Sequence, residues 1–140
     1  SSKKKTEALK LLIKQINFKN NLYVINDRIE NLAHQSFFRN NFNIATIRAV
    51  SNPSTVSEYI LPMLKKDGLG VLYCGKWNKK DDLSLKKTLK VLEGEIKEKR
   101  MILLPRNKGT RNVFFIEPRR LCPEIYPRKV GMPEKNPLKD

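Results

Sequence analysis

The chain has 140 residues, and its 29 lysines and arginines against 14 aspartates and glutamates give a formal net charge of +15. This length suits one domain, and 39% hydrophobic residues suffice for a modest core, which excludes a wholly disordered chain. The positive excess favours a polyanionic partner, with nucleic acid ahead of an anionic membrane surface.

The sequence argues against membrane insertion and against metal or nucleophilic chemistry. No apolar run approaches the length that spans a bilayer, and we see no signal-peptide pattern, so we expect a cytoplasmic protein without a membrane partner. Cys74 and Cys122 lack metal-type spacing and are expected to be reduced thiols. The only histidine, His34, lies in a polar stretch without evident triad partners. We therefore predict no catalytic side chain and no metal ligand.

Hydrophobic periodicity predicts alternating helices and strands in the first half of the chain. In order, these are an amphipathic helix over 4–16, a buried strand over 22–25, one or two helical turns over 28–33 and a strand over 43–50. Asn52-Pro53-Ser54 then begins a helix. Lys65-Lys66-Asp67-Gly68 has the cations and the glycine that are typical of a helix end.

The second half ends in two consecutive strands. A strand over 69–74 and a helix over 81–92, stopped by Gly94, precede strands over 95–104 and 112–117 that the turn PRNKGT joins. This order predicts an α/β fold with a mostly parallel sheet and an antiparallel hairpin at its end. It resembles a Rossmann-like methyltransferase fold that is incomplete at its N-terminus. Residues 1–118 are expected to form that domain, and residues 119–140 a basic, proline-containing tail.

Four stretches carry a more specific resemblance. They are DRIEN at 27–31, the segment from Ile47 to Trp77, GTRNVFF at 109–115 and YPRKVGMPEKNPL at 126–138. In this order they resemble the small-subunit (16S) ribosomal RNA guanine-N7 methyltransferase family, also known as glucose-inhibited division protein B. Gly75-Lys76-Trp77 is similar to a GxW of its cyanobacterial branch. The resemblance implies transfer of a methyl group from S-adenosylmethionine to a guanine N7 of 16S ribosomal RNA in the small ribosomal subunit.

The resemblance also implies a donor site over the carboxyl ends of the parallel strands. Ile29 and Glu30 match the family segment that flanks the adenine, with Ile29 in place of the usual alanine. Arg48 matches an arginine at the end of the next strand. We expect its guanidinium to meet the donor's carboxylate or an RNA phosphate.

Two parts of the family's donor site have no counterpart in this sequence. A glycine-rich turn is missing, since Gly68-Leu69-Gly70 lacks the spacing of a fingerprint. Ser1, Ser2 and Lys3 match the donor-site segment that follows the family's ribose-binding acid, which would precede Ser1. The resemblance therefore indicates the C-terminal part of a longer enzyme, expected to be inactive when isolated.

The resemblance also implies that the family's first two strands are absent from this sequence, which has a consequence for folding. Without the family's first two strands, residues 22–26 would have no neighbour in the sheet. We therefore expect the chain either to self-associate or to hold its first helix and strand loosely.

Transfer to guanine N7 needs alignment rather than a general base, because the nitrogen lone pair is available at neutral pH. RNA contacts are expected from cations near Trp77 and Tyr126, whose rings could stack on bases. These cations are Lys76, Arg106, Lys108, Arg111, Arg128 and Lys129. In the resemblance, Arg111 belongs to the hairpin and Arg128 to the YPR of the tail.

Two questions stay open at the level of sequence. The charge and the missing glycine turn also fit a basic RNA-binding module without catalysis. The last fifteen residues of the tail, 126–140, have three prolines and few apolar side chains to bury. This segment either lies across the domain near the RNA-facing side or is a disordered terminus.

Overall fold

The structure is a computed structural model that describes residues 3–16, 21–48, 52–75, 77–106 and 108–138. Its strands are β1 (Phe42–Arg48), β2 (Leu64–Cys74), β3 (Gly94–Leu103) and β4 (Thr110–Pro118). Its helices are α1 (Lys3–Ile16), α2 (Ile29–Leu32), α3 (Pro53–Ile60), α4 (Lys79–Val91) and α5 (Met132–Lys135). Among these described residues, no helix combines the length and apolar character needed to cross a bilayer.

The strands form one mixed sheet in the order β1-β2-β4-β3. β1 and β2 are parallel, whereas β4 is antiparallel to both β2 and β3. The predicted α/β class, the parallel start and the final hairpin are therefore confirmed. The carboxyl ends of β1 and β2 and the turn over 104–109 lie at one edge of the sheet, here called the upper edge. Gly94 and Pro118 pair at the opposite, lower edge.

The core lies between the sheet and two helices that cross it. Its buried side chains come from α3, the turn after it, β2, α4 and β4: Val56, Tyr59, Ile60, Leu61, Leu64, Leu72, Leu85, Leu89, Leu92, Phe114 and Ile116. Leu85, Leu89 and Leu92 recur at helical spacing, so one face of α4 is apolar. Gly70 sits where α3 crosses β2, and a Cβ there would lie 2.7 Å from Ile116 and 2.8 Å from Ile60.

Both long core helices begin at side-chain caps that the sequence supplies locally. The Asn52 carboxamide accepts a hydrogen bond from the Thr55 N–H at 3.0 Å, and Pro53 follows as the first helical residue of α3. At α4, Asn78 and Asp81 form a reciprocal capping box. The predicted start of α3 is confirmed, and α4 begins two residues before the predicted start.

The predicted end of α3 is wrong. The helix ends at Ile60, a short 3-10 turn covers Leu61–Met63, and β2 already begins at Leu64. Pro62 lacks the N–H that a longer helix would need. Lys65 to Asp67 are therefore strand residues. Gly68 is not a helix cap: a Cβ on it would lie 2.8 Å from the Phe42 carbonyl oxygen, so the glycine allows β1 to approach β2.

The predicted strand over 22–25 is also wrong, because this segment joins no ladder among the described residues. Its pattern was apolar enough for a strand, but a strand also needs a partner. The preceding helix α1 has the predicted bounds to within one residue and buries none of its side chains. Leu11 and Ile16 are 64% and 69% exposed. The exposure of α1 fits either expected outcome, a loosely held first helix or self-association, and both stay predictions.

Candidate functional site

A cleft of about 590 Å³ runs along β1 between the segment 27–30 and α3. Its lining is mostly apolar and includes Ile29, Phe42, Ile44, Ala45, Ile47, Tyr59, Ile60 and Met63. The charged residues on its wall are Asp27, Arg28, Glu30 and Glu134. A volume of this size, with apolar walls and a few charged groups, suits a small amphipathic ligand.

Ile29 begins α2 and lines the cleft with its half-buried side chain. Its neighbour Glu30 is only 2% exposed and faces the C-terminal tail. The Glu30 carboxylate accepts hydrogen bonds from the Arg28 guanidinium at 2.6 Å, from the Gly131 N–H at 3.0 Å and from the Tyr59 hydroxyl at 3.4 Å. The two predicted donor-site residues therefore differ: Ile29 faces the cleft, whereas Glu30 ties the cleft wall to the tail.

The partners of Glu30 keep it ionised despite its burial. Desolvation by burial tends to raise the pKa of Glu30, but hydrogen bonds from Arg28 and the Gly131 N–H outweigh it and lower the pKa. Burial, and then the nearby Glu30 charge, raise the pKa of Tyr59 to about 12. Near neutral pH the cleft wall thus contains a fixed carboxylate and a protonated phenol.

The other predicted donor-site residues lie apart from the cleft lining. Arg48 is the last residue of β1, exposed at the upper edge and opposite Tyr73 of β2. Its neighbour Ile47 reaches the cleft. Lys3 begins α1 and is exposed, while Ser1 and Ser2 lie outside the described residues.

Three of the predicted RNA contacts gather around the turn between β3 and β4. Arg106, Lys108 and Arg111 are all exposed there, and the Leu104 N–H closes the turn on the Gly109 carbonyl at 2.9 Å. Because this turn lies at the upper edge, its cations stand at the same edge of the sheet as Arg48. Lys129 is exposed on the tail, and Lys76 lies outside the described residues.

Arg128 has a different environment. Its guanidinium donates to both carboxylate oxygens of Glu58, at 2.9 and 2.8 Å, and to the Asn136 carbonyl at 2.7 Å. The Arg128 backbone N–H also donates to Glu58, at 2.8 Å. The Glu58 side chain is fully buried, and its hydrogen bond raises the pKa of Arg128. The Arg128 guanidinium is thus already paired with a buried carboxylate.

Both aromatic residues proposed for base stacking are half-buried. Trp77 packs against Phe114, with ring centroids 4.1 Å apart, and its indole N–H donates to Asp82. Tyr126 is half-buried and packs against the core.

A family model described as rRNA small subunit methyltransferase G matches residues 1–108. The chain belongs to this family. It is 75% identical over 138 residues to the ribosomal RNA small subunit methyltransferase G of Prochlorococcus marinus strain MIT 9312. It is 38% identical over 138 residues to that of strain NATL2A. The family resemblance in the sequence is confirmed.

The match covers 99% of this chain but only 58% of the strain MIT 9312 relative and 56% of the strain NATL2A relative. The chain therefore spans a little over half the length of these relatives. A solved Thermoplasma acidophilum structure, provisionally described as a methyltransferase, matches 81% of this chain and 54% of its own, with a TM-score of 0.51 and 12% identity. At that identity the likeness supports the Rossmann-like methyltransferase fold alone.

Sequence reasoning missed the residues that hold the tail in this member of the family. Arg39 donates to three tail carbonyls, those of Tyr126 and Cys122 at 2.8 Å and that of Pro123 at 3.0 Å. His34 lies 2.7 Å from the Pro127 carbonyl through its Nε2. Both residues sit in a polar loop, and no local pattern signals partners some 90 positions away.

The cysteines have the inert character that the sequence suggested. Burial raises the pKa of Cys74 to about 11 and that of Cys122 to about 12, so both thiols are protonated at neutral pH. Within the part of the chain that the structure describes, no cluster of three or more histidine, cysteine or acidic side chains could hold a metal ion.

Proposed function

We propose that this chain is part of a cytoplasmic methyltransferase that transfers a methyl group from S-adenosylmethionine to N7 of a guanine in 16S ribosomal RNA. The observation that carries the proposal is the apolar cleft bordered by Ile29 and β1, in a chain that belongs to the rRNA small subunit methyltransferase G family. The cleft reaches Ile47, next to the carboxyl end of β1, and ligands of open α/β sheets bind outside the carboxyl ends of parallel strands.

The residues of the cleft suit the proposed donor. Ile29, Ile47 and Met63 offer apolar surface for an adenine ring, and about 590 Å³ lies within the range of small-molecule sites. Arg48 at the upper edge is suited to pair with a carboxylate or a phosphate. When bound, S-adenosylmethionine supplies the methyl group from its sulfonium centre.

The role of this chain is then to position the reactants. Guanine N7 attacks through its own lone pair, so the chain must hold base and donor in line rather than remove a proton. Arg106, Lys108 and Arg111 are exposed cations near the upper edge, Lys129 is exposed on the tail, and all four could bind phosphates. Arg128 is omitted from this set because Glu58 binds its guanidinium.

The donor site can be tested by calorimetric titration of S-adenosylmethionine into the wild-type chain and the Ile29→Asp variant. A matched control is Ile125→Asp, since Ile125 is exposed and does not line the cleft. We expect saturable binding that Ile29→Asp weakens at least about tenfold, because a charge would replace apolar surface on the cleft wall. The same titrations of the 75% identical relative, at its full length, show whether the site needs the rest of the protein. Binding by that relative which its equivalent aspartate variant leaves unchanged would contradict the assignment of the cleft.

The reaction itself is tested with the full-length relative, small ribosomal subunits and isotopically labelled donor. Mass spectrometry of the digested RNA should find 7-methylguanosine. Modification of a different atom would refute the proposed specificity.

A basic RNA-binding module without catalysis is the second candidate. The net charge of +15 favours it, together with the missing glycine-rich turn in this sequence. It predicts RNA binding whose affinity is the same with and without S-adenosylmethionine, and no methyl transfer by the full-length relative.

A further inference from the structure

The lower edge of the sheet carries a second cationic surface that the proposed donor site does not use. A concavity of about 670 Å³ opens between the C-terminal half of α4 and the paired ends of β3 and β4. Four cations border it: Lys86, Lys90, Arg119 and Arg120. These four residues are here called the lower basic surface.

The backbone fixes the two arginines at this concavity. Glu93 has a left-handed backbone, with φ of 57°, directly after α4. Its carbonyl accepts the N–H groups of Arg119 at 2.8 Å and of Arg120 at 3.1 Å. These hydrogen bonds hold the segment that follows β4 against the turn that follows α4. The arginines consequently have a defined position, although their side chains reach solvent.

The charge of the concavity is positive on balance. Its four cations face two carboxylates, Glu93 and Glu95. Arg119 is paired with Glu95 at 2.8 Å, and their side chains are 66% and 40% exposed, so this solvent-accessible pair is weak. Lys86 and Lys90 lie one turn apart on the same face of α4, where Lys90 also offsets the negative end of the helix. A surface of this kind attracts an extended anion more than a single small one.

The lower basic surface lies far from the cations at the hairpin turn. β3 runs from one edge to the other over 10 residues, a distance of roughly 30 Å at about 3.3 Å per residue. An RNA segment bound at the upper edge would therefore have to leave that edge to reach the lower one. Lysine ammonium groups and arginine forks around a concavity fit a ridge of phosphates better than the flat surface of a bilayer.

We propose that the lower basic surface binds the phosphodiester backbone of a second RNA segment, distinct from the one that the upper edge presents to the donor cleft. The proposal rests on the proposed function in that the polyanion is ribosomal RNA. The protein would then hold its substrate at two places, and the lower contact would contribute affinity without reading sequence.

The test compares two charge reversals of equal size. Lys90→Glu with Arg120→Glu alters the lower basic surface, whereas Lys10→Glu with Lys14→Glu makes the same change in net charge on exposed α1. The probe is a fluorescent fragment of 16S ribosomal RNA, titrated over a range of salt concentrations. We expect the lower variant to bind about tenfold more weakly, with a salt slope smaller by about 1.5 to 2. The α1 variant should change affinity less than about threefold.

Equal losses in the two variants would overturn the proposal, because they would reflect net charge alone. So would unchanged RNA binding together with lost binding to phosphatidylglycerol vesicles, which would assign the surface to a membrane. A second variant, Lys90→Gln with Arg120→Gln, removes the two charges without reversing them, and circular dichroism shows whether it is folded. Its loss of RNA affinity should be smaller than that of the charge reversal and in the same direction. The RNA titration contains no S-adenosylmethionine, so failure of the donor site leaves its result intact.

Discussion

The described part of the N-terminal region, residues 3–16 and 21–25, and the tail, residues 119–138, are held very differently by the rest of the protein. The first contains the apolar stripe of α1, and yet α1 buries no side chain. The second contains mostly polar and charged residues and proline, and yet Cys122, Pro127 and Pro133 are buried within it. Buried or half-buried side chains of the domain reach the tail at several points.

This difference indicates that hydrogen bonds to buried polar groups of the domain hold the tail in place, whereas the hydrophobicity of α1 alone does not attach it to the domain. Glu30 and Glu58 are both buried carboxylates, and each accepts at least one hydrogen bond from the tail. Thr55 is also buried and donates to the Pro133 carbonyl at 2.7 Å. Leaving any of these groups without its partner would cost free energy, so the tail is held in place even though it buries little apolar area.

The largest effect is expected from breaking the pair of Arg128 with Glu58. The Arg128→Met variant keeps the apolar stem but leaves a fully buried carboxylate without its counter-charge. The free energy of unfolding should fall by about 3–5 kcal/mol, measured by urea denaturation. The matched control is Lys129→Met, next to it and exposed, which should change stability by less than about 0.5 kcal/mol. A loss below about 1 kcal/mol for Arg128→Met would mean that the tail is not fastened here.

A smaller and pH-dependent effect is expected at Glu30. Since its pKa in the folded protein lies below the ordinary value of 4.5, ionised Glu30 stabilises the fold above that pH. This contribution should disappear as the pH falls below about 4.5 and through the folded pKa. In Glu30→Gln it is absent, so the stability difference between wild type and variant should shrink on acidification.

The measurement is the free energy of unfolding from pH 7 down to pH 3 for both proteins. Glu124→Gln, at an exposed tail position, controls for a general charge effect. A difference between wild type and Glu30→Gln that stays constant over this range would show that Glu30 does not act through its charge.

The smallest effect is expected in α1. Leu12 is 53% exposed, so Leu12→Ala should change the free energy of unfolding by less than about 0.5 kcal/mol. Leu89→Ala, the same substitution on the buried face of α4, should cost about 2–5 kcal/mol. If the chain self-associates and α1 lies in the interface, sedimentation should also show a weaker association for Leu12→Ala. A large stability loss for Leu12→Ala would mean that α1 is packed in solution.

Local signals predicted the parts of the fold that depend on neighbouring residues. Asn52-Pro53 set the start of α3, and the turn PRNKGT set the hairpin, because caps and turns are made by adjacent residues. The predictions for the segment over 22–25 and for the glycine at 68 were wrong because the structure there depends on residues distant in the sequence. A strand needs a partner from elsewhere, and Gly68 is small because β1 passes close to it.

The candidate site shows the same contrast between features set by neighbouring residues and features set by distant ones. Ile29 lines the cleft, and its contact with the donor stays a prediction. However, Gly131, which donates to Glu30, and Glu58, which binds Arg128, lie 101 and 70 residues away from them. A cation in a basic tail has the same local pattern whether it meets RNA or an interior carboxylate, and only the folded arrangement distinguishes the two.

The attachment of the tail has a consequence for synthesis. Residues 126–138 leave the ribosome after every strand of the sheet, and until then the Glu58 carboxylate has no cation to meet and the Glu30 carboxylate no Gly131 N–H. A chain that stops short of Arg128 would keep an unpaired negative charge in its interior. Translation through Gly131 is therefore a condition for satisfying both buried carboxylates, and products that terminate before Arg128 should be more open to proteases.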